Sequence, residues 1–230
     1  MSRGVLDLVG NTPIIKLRNV TPDRGAEVWL KYEAGNPTGS YKDRVAMSVL
    51  NNAISRHDVS PGDTIVEYTG GSTGSSLAFV SAALGLKFVA VFSDAFSQSK
   101  QLTMEAFGAE VIVEESYGKG ITPELIERMK DRAMSLCDDA NAYYVDQFGS
   151  SDVTVGYEPM GQEIADALDC DVDLLCASVG TGGALMGTWQ GLVKSGSKVS
   201  VVAFEPAQSP FLTTGKGGAH KVEGIGVGFE

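Results

Sequence analysis

The feature that most constrains this chain is an alternation between short, β-branched apolar runs and segments with helical spacing. The predicted strands are Val28–Tyr32, Thr64–Tyr68, Phe88–Phe92, Glu110–Val113, Leu174–Ala177 and Val199–Phe204. Helical spacing is found at Lys42–Ser55, Ser75–Leu84, Gln98–Phe107, Pro123–Leu136, Met160–Leu168 and Ala184–Lys194. Because strand, helix and strand in succession form a parallel crossover, this order predicts an α/β fold with helices on both faces of parallel sheets.

Composition narrows the class of protein. The chain has 230 residues, of which 43% are hydrophobic, enough to bury one large core or two small ones. Its net charge of −11 opposes binding to nucleic acids or anionic membranes, because both require clustered Lys and Arg. We therefore expect a globular protein that acts on a small molecule.

Cysteine and histidine usage argues against a disulfide framework or a metal site. The three cysteines, Cys137, Cys170 and Cys176, are an odd number without a C-x-x-C pair. The two histidines, His57 and His220, have no metal-ligand spacing. The first residues also lack the unbroken apolar stretch of a signal sequence. We expect no metal and a reducing, cytoplasmic compartment.

A turn-rich segment, Gly35–Arg44, ends where the first long helical pattern begins. It places Lys42 in the first helical turn, where the helix dipole disfavours an ammonium and lowers its pKa. The neutral amine that results is the form that condenses with a carbonyl group. The alternative is an ordinary solvated lysine.

Two glycine-rich loops follow strands and open helices, the position at which parallel sheets bind ligands. In the first, Glu67–Ser76, backbone N–H groups would converge on an anion, unless the hydroxyls only cap the helix. The second, Gly180–Ala184, could hold a phosphate in the same way. A nicotinamide dinucleotide is the competing ligand, since Glu205 stands where a ribose-binding acid would, although Leu185 occupies a required glycine position.

Together these loops resemble the cysteine synthase group of enzymes that depend on pyridoxal 5′-phosphate (PLP). The resemblance covers nearly the whole chain and rests on four segments, Gly10–Pro13, Lys31–Glu33, Asn36–Arg44 and Gly224–Phe229. It implies an α/β fold of PLP fold type II, similar to tryptophan synthase β, with two parallel-sheet domains. The smaller domain is expected at 43–147, the larger at 1–42 and 148–230, and the site in the cleft between them.

The resemblance also implies roles for individual residues. Lys42 would form the Schiff base with PLP and act as the catalytic base. The cofactor would be bound by Ser72 and by the loop residues Gly180, Thr181, Gly182, Gly183 and Ala184. The substrate would be bound by Thr69, Gly70, Gly71, Ser72, Thr73, Gln147 and Gly228.

The chain departs from the pattern of the group in three places. Gly70 replaces a serine, and Ser72 replaces the asparagine that contacts the phenolic oxygen of the cofactor. Ala184 lacks a hydroxyl donor, which would cost about 0.5–1.5 kcal/mol of cofactor binding. The sequence ends at Glu230, where the group continues with the residue that meets the pyridine nitrogen, so a shortened chain is expected.

The implied reaction is β-replacement on O-acetylserine or a related amino acid, through an aminoacrylate, with sulfide or a thiol as nucleophile. Three alternatives stay open. They are β-elimination from serine or cysteine analogues, a non-catalytic or partly active partner subunit, and a nicotinamide-dependent oxidoreductase. A homodimer is expected.

Overall fold

The computed structural model describes residues 4–19, 21, 25–140, 142–218 and 220–226, without the side chains of 139 and 140. The strands are β1 (Ile14–Leu17), β2 (Val28–Lys31), β3 (Thr64–Tyr68), β4 (Lys87–Ser93), β5 (Glu110–Glu114), β6 (Tyr143–Tyr144), β7 (Leu174–Ser178) and β8 (Ser200–Phe204). The α-helices are α1 (Lys42–Ser55), α2 (Ser72–Leu84), α3 (Gln98–Ala106), α4 (Pro123–Ala140), α5 (Ser151–Val155), α6 (Glu158–Ala167), α7 (Gly183–Lys194) and α8 (Phe211–Thr214). Short 3-10 helices cover Val5–Leu8 and Glu33–Gly35.

The chain divides into two compact units. The first unit contains Met1–Leu6 and Lys42–Val153, and the second contains Asp7–Tyr41 and Thr154–Glu230. The division of the sequence into domains at 43–147 stays a prediction. No helix in the described part of the chain has the length and apolar character needed to cross a membrane.

The first unit is built on a parallel sheet with the strand order β5-β4-β3-β6. Strands β3 and β4 are buried over most of their length, as expected for central strands of a parallel sheet with both faces covered. Helix α4 packs on β3 and places Leu125 and Met129 against Val66 and Val91, while α1 and α2 pack against each other. This core fixes the carboxyl end of β3, from which the loop at 69–71 emerges.

The second unit contains one parallel and one antiparallel strand pair. Strands β7 and β8 are parallel, as predicted, with Leu174 opposite Ser200. Strand β1 was not predicted from the sequence. It pairs antiparallel with β2, with Ile14 opposite Lys31, whereas the sequence predicted parallel strands. The connection at 18–27 is too short for a crossover helix, so the chain can only return antiparallel.

The segment that follows Glu205 includes the short helix α8, which ends with Thr213 and Thr214. The Glu205 carboxylate accepts hydrogen bonds from Leu212 N (2.8 Å) and Thr213 N (3.0 Å). It therefore caps the first turn of a short helix, and its oxygens are engaged where a ribose-binding acid would need them free.

Candidate active site

Lys42 is the first residue of α1, as the sequence predicted. Burial lowers the pKa of its ammonium group to about 8. Roughly a tenth of such groups are neutral at pH 7, compared with fewer than about one in a thousand for an ordinary lysine. Lys42 is followed by two buried charged residues, Asp43 and Arg44. The amine is therefore prepared for nucleophilic or basic chemistry.

The loop after β3 is organised by the hydroxyl of Thr69. Its Oγ1 accepts hydrogen bonds from Gly71 N and Gly74 N, both at 3.1 Å. The amide of Gly71 is therefore engaged within the loop. Helix α2 has no side-chain cap, and in the described structure the N–H groups of Ser72 and Thr73 donate to no acceptor. These two amides, at the positive end of the helix dipole, are the ones available to an anion.

Gln147 is joined to the same loop by its side chain. Its Nε2 donates to Tyr68 O (3.1 Å), and its Oε1 accepts from Thr73 Oγ1 (2.7 Å). Because a carbonyl oxygen only accepts, the NH₂ group of Gln147 must face Tyr68. The proton of the Thr73 hydroxyl is then committed to Gln147. Within the described structure the second N–H of Gln147 Nε2 has no acceptor, so it is a further donor for a carboxylate.

The glycines of the loop after β3 lie against side chains at the start of α3 and just before it. A Cβ on Gly70 would lie 2.8 Å from Phe96 Cε1, and a Cβ on Gly71 would lie 2.8 Å from Lys100 Cγ. Both contacts are shorter than carbon atoms normally allow. Gly70 therefore replaces a serine where an aromatic ring occupies the space for a side chain. Gly71 also has φ +144°, which disfavours other residues.

The second glycine loop, at 180–184, opens α7 in the second unit. Gly182 is the N-cap, with φ +80°, and no side chain caps the helix. The first N–H groups of α7 thus point out of the helix without a partner from a capping side chain. Gly180 lies against the carbonyl of Gly224, where any Cβ would overlap. The loop can therefore present a row of backbone donors to a phosphate group, as its sequence predicted.

His220 fastens the last described motif segment beside this loop. Its Nδ1 accepts from Val222 N (3.2 Å), so Nε2 carries the proton and donates to Gly226 O (2.9 Å). Gly226 N in turn donates to Val179 O (3.0 Å), next to Gly180. The segment at 224–226 is held against the glycine loop in this way. Gly228, predicted to bind substrate, lies outside the described residues.

The motif segments near the amino terminus meet in a polar cluster of the second unit. Asn36 Oδ1 accepts from Gly10 N (2.9 Å), and Asn36 Nδ2 donates to Glu33 O (2.8 Å). Thr12 Oγ1 donates to Glu33 Oε1 (2.6 Å), while Lys31 Nζ donates to Thr12 O (2.6 Å). These residues are structural, because their hydrogen bonds join three segments of the chain to one another.

Comparison with known proteins gives the class to which this fold and these loops belong. The family model of pyridoxal-phosphate dependent enzymes matches residues 5–230. A cysteine synthase from Staphylococcus aureus is 36% identical over 233 residues, which cover 98% of this chain and 71% of that protein. The chain therefore belongs to the family of pyridoxal-phosphate dependent enzymes. Within that family it is a member of the cysteine synthase group.

Solved structures agree with this assignment. A cysteine synthase from Entamoeba histolytica superposes with a TM-score of 0.90 at 30% identity, over 100% of this chain and 68% of that one. A hydrogen sulfide-producing enzyme from Fusobacterium nucleatum superposes with a TM-score of 0.88 at 30% identity. The match covers 100% of this chain and 76% of that one. The predicted PLP fold type II is confirmed, and so is the dependence on PLP. The nicotinamide alternative is set aside, in agreement with the capping role of Glu205.

The chemistry of the described residues fits PLP. The aldehyde needs an amine that is neutral near physiological pH, and Lys42 has a pKa of about 8. The phosphate needs several N–H donors, and the uncapped start of α7 at Gly183 has them. The individual roles of these residues stay predictions. Sequence reasoning missed Glu67, Phe96 and His220, although a glutamate within the apolar run of β3 was a signal that could have been followed.

Proposed function

We propose that the protein catalyses β-replacement on an O-acylated serine, with O-acetylserine as the first candidate and sulfide or a small thiol as the nucleophile. The observation that carries this proposal is Lys42, a helix-opening lysine with a pKa of about 8 in a chain of the cysteine synthase group. PLP, when bound, supplies the electron sink that stabilises negative charge at Cα of the amino acid. Lys42 would attach it covalently, and the loop at 180–184 would hold its phosphate.

The residues of the first unit then supply binding and proton transfer. The substrate carboxylate is held by the N–H groups of Ser72 and Thr73 and by the second N–H of Gln147. Once the amino acid has displaced it, neutral Lys42 takes the proton from Cα. The β-substituent leaves as an anion with its bonding electrons, and the nucleophile adds at Cβ as hydrosulfide or a thiolate, its proton having gone to solvent. Lys42 returns the proton to Cα, and the product is cysteine or a thioether analogue.

A second candidate function is β-elimination, and the similarity to a hydrogen sulfide-producing enzyme favours it. Its first steps are the same, and Lys42 again removes the Cα proton. If water instead of a thiol completes the reaction, cysteine yields hydrogen sulfide, pyruvate and ammonia. The two functions therefore share every residue named above. In replacement a thiol adds at Cβ, whereas in elimination the released enamine takes a proton at Cβ and water hydrolyses its C=N bond at Cα.

Three measurements test the proposal. Purified protein incubated with PLP should gain an absorbance band near the visible edge, and borohydride followed by peptide mapping should place the pyridoxyl group on Lys42. Cysteine formation from O-acetylserine and sulfide should exceed pyruvate formation from cysteine. Lys42→Ala should abolish both reactions, whereas Lys87→Ala, on exposed strand surface, should leave them unchanged.

The outcomes separate the candidates. A label on another lysine would overturn the role of Lys42. Pyruvate formation as the faster reaction would favour elimination. A protein that binds PLP and performs neither reaction would be a non-catalytic partner subunit. Size-exclusion chromatography with light scattering would decide the proposed homodimer.

A further inference from the structure

The hydrogen-bond ladder between β3 and β6 ends just before Gln147. Val145 N still donates to Val66 O at 3.2 Å. Asp146 then adopts φ +53°, a left-handed conformation that turns the chain away from the strand direction. The next amide, that of Gln147, is buried with its residue and needs an acceptor outside the backbone ladder.

Glu67 supplies that acceptor with its side chain. Glu67 Oε2 accepts the hydrogen bond from Gln147 N at 3.0 Å. Glu67 lies within β3 and has no exposed surface. Its second oxygen, Oε1, accepts no hydrogen bond of ordinary geometry from any described residue. A core carboxyl group with one oxygen unsatisfied costs folding free energy, and its one well-formed side-chain bond is the one to Gln147.

The carboxyl group of Glu67 is mostly protonated near pH 7. Burial raises its pKa to about 8, although the amides of Gln147, Tyr68 and Asp146 oppose the rise. The neutral acid retains a carbonyl oxygen that can accept from Gln147 N. The contact therefore holds the main chain at Gln147 without the cost of a buried charge.

We infer that Glu67 is a positioning residue for recognition of the amino-acid carboxylate. It fixes the main chain of Gln147, and the side chain of Gln147 then reaches Tyr68 O and Thr73 Oγ1 with its remaining N–H directed to the substrate. This inference rests on the proposed function, in which Gln147 holds the carboxylate. Glu67 itself touches neither substrate nor cofactor.

Two substitutions at position 67 distinguish the role of the hydrogen-bond acceptor from the role of the carboxyl charge. Glu67→Gln keeps a carbonyl oxygen of the same reach, so the KM for O-acetylserine should stay within about twofold of wild type at pH 7. Glu67→Met has similar volume and no acceptor, so KM should rise about tenfold with kcat and PLP retention little changed. Glu110→Met, on exposed surface of β5, is the control and should change nothing. If Glu67→Met folds poorly, Glu67→Leu repeats the test.

Amide exchange at Gln147 gives a readout that does not depend on turnover. Exchange should accelerate at least tenfold in Glu67→Met and stay near wild type in Glu67→Gln. In a Gln147→Ala background, Glu67→Met should add no further loss of serine affinity, measured by spectral titration of the holoenzyme. The inference is overturned if Glu67→Met leaves KM unchanged, if Glu67→Gln is equally damaged, or if the two losses add.

The same titration distinguishes this inference from the proposed function. Normal serine affinity in Gln147→Ala would remove Gln147 from substrate binding, and the role of Glu67 would fall with it. Impaired affinity in Gln147→Ala combined with normal affinity in Glu67→Met would overturn only the role of Glu67. Failure of β-replacement with both affinities as expected would overturn only the proposed reaction.

Discussion

Lys42 and Glu67 carry opposite charges when ionised, yet burial drives both towards the neutral form. Each has a pKa of about 8, reached from opposite directions. A neutral lysine is a nucleophile and a base, whereas a neutral glutamic acid keeps a fixed contact without a buried charge. The same physical cause thus prepares one residue for chemistry and makes the other a structural support.

The pKa of Lys42 predicts how PLP capture depends on pH. Because only the neutral amine reacts, the rate of incorporation into apoenzyme should rise about fivefold between pH 7 and 8 and level off above about pH 9. Stopped-flow absorbance measures this rate. A rate that keeps rising steeply to pH 10 would mean that Lys42 titrates like an exposed lysine.

Gly70 and Phe96 should behave as a coupled pair. Gly70→Ser introduces a Cβ 2.8 Å from the ring, so the ring or the loop must move, and we expect KM for the amino acid to rise about tenfold. Phe96→Ala removes the obstacle, and the double variant should recover most of the loss. A double-mutant cycle on KM measures the coupling. Additive effects would show that Phe96 does not restrict position 70.

At the scale of elements, glycines set how closely α6 and α7 approach. A Cβ on Gly161 would overlap the carbonyl oxygen of Thr188, and a Cβ on Gly191 would overlap that of Glu158. Backbone oxygens cannot rotate away as side chains can. The helices therefore pack with their backbones in contact, and this holds α7, which begins at the phosphate loop, in place.

Gly191→Ala should accordingly destabilise the protein although alanine favours helices. Overpacking against a backbone atom costs about 1–3 kcal/mol, more than the roughly 1 kcal/mol gained in helix propensity. Urea unfolding followed by circular dichroism measures the difference. Met186→Ala, exposed on the same helix, should change the free energy of unfolding by much less. Equal stability of Gly191→Ala and wild type would contradict close backbone packing.

Element prediction succeeded where pattern and local geometry agree. Helix α1 begins and ends as predicted, because the turn-rich segment before Lys42 marks its start. Strand β6 was missed, since its two residues give no period, and only pairing with β3 defines it. Of the antiparallel β1–β2 pair only β2 was predicted, and apolar periodicity in any case leaves the direction of a strand open.

Prediction of the site was limited in the same way, since the sequence shows local patterns and not contacts between distant residues. The loops at 69–73 and 180–184 were found from glycines and hydroxyls, which signal helix-opening turns in the sequence itself. The contacts of Gln147 with Thr73 and Tyr68 join residues more than seventy positions apart, and no local pattern encodes them. The sequence shows Glu67 as a charged residue within an apolar strand. Its hydrogen-bond partner, Gln147, could be identified only from the structure of the turn at Asp146.

For the molecule as a whole, acidic residues dominate, with 29 Asp and Glu against 18 Lys and Arg. Repulsion among these charges opposes the compact state, and salt screens it because most of the groups are at the surface. Glu67 is different, because it is buried and salt cannot reach it. The charge of Asp146 adds to the rise in the pKa of Glu67, whereas the neighbouring Tyr68, Tyr144 and Cys137 stay uncharged because their own pKa values are raised.

Glu67 should therefore give the stability of the protein a pH dependence that salt does not remove. Its folded pKa of about 8 lies above the ordinary value of 4.5, so between these values the folded state holds a proton that the unfolded state has lost. Its contribution is fully present below pH 4.5 and is lost as pH rises through 8, with a slope approaching 1.4 kcal/mol per pH unit. Lys42 has the opposite effect, because its folded state loses a proton around pH 8 that the unfolded state keeps, which adds stability as pH rises. Measurements therefore belong between pH 5.5 and 7.5, where Lys42 is still mostly protonated.

Glu67→Gln isolates this contribution, since it removes the titrating group and keeps a side chain of the same size. In 0.5 M salt, urea unfolding of wild type should lose a few kcal/mol of stability between pH 5.5 and 7.5, whereas Glu67→Gln should lose much less. Glu110→Gln, at an exposed position, should follow wild type. Parallel curves for wild type and Glu67→Gln would mean that Glu67 is ionised in the folded protein. In that case a carboxylate, and not a neutral acid, would accept the hydrogen bond from Gln147 N.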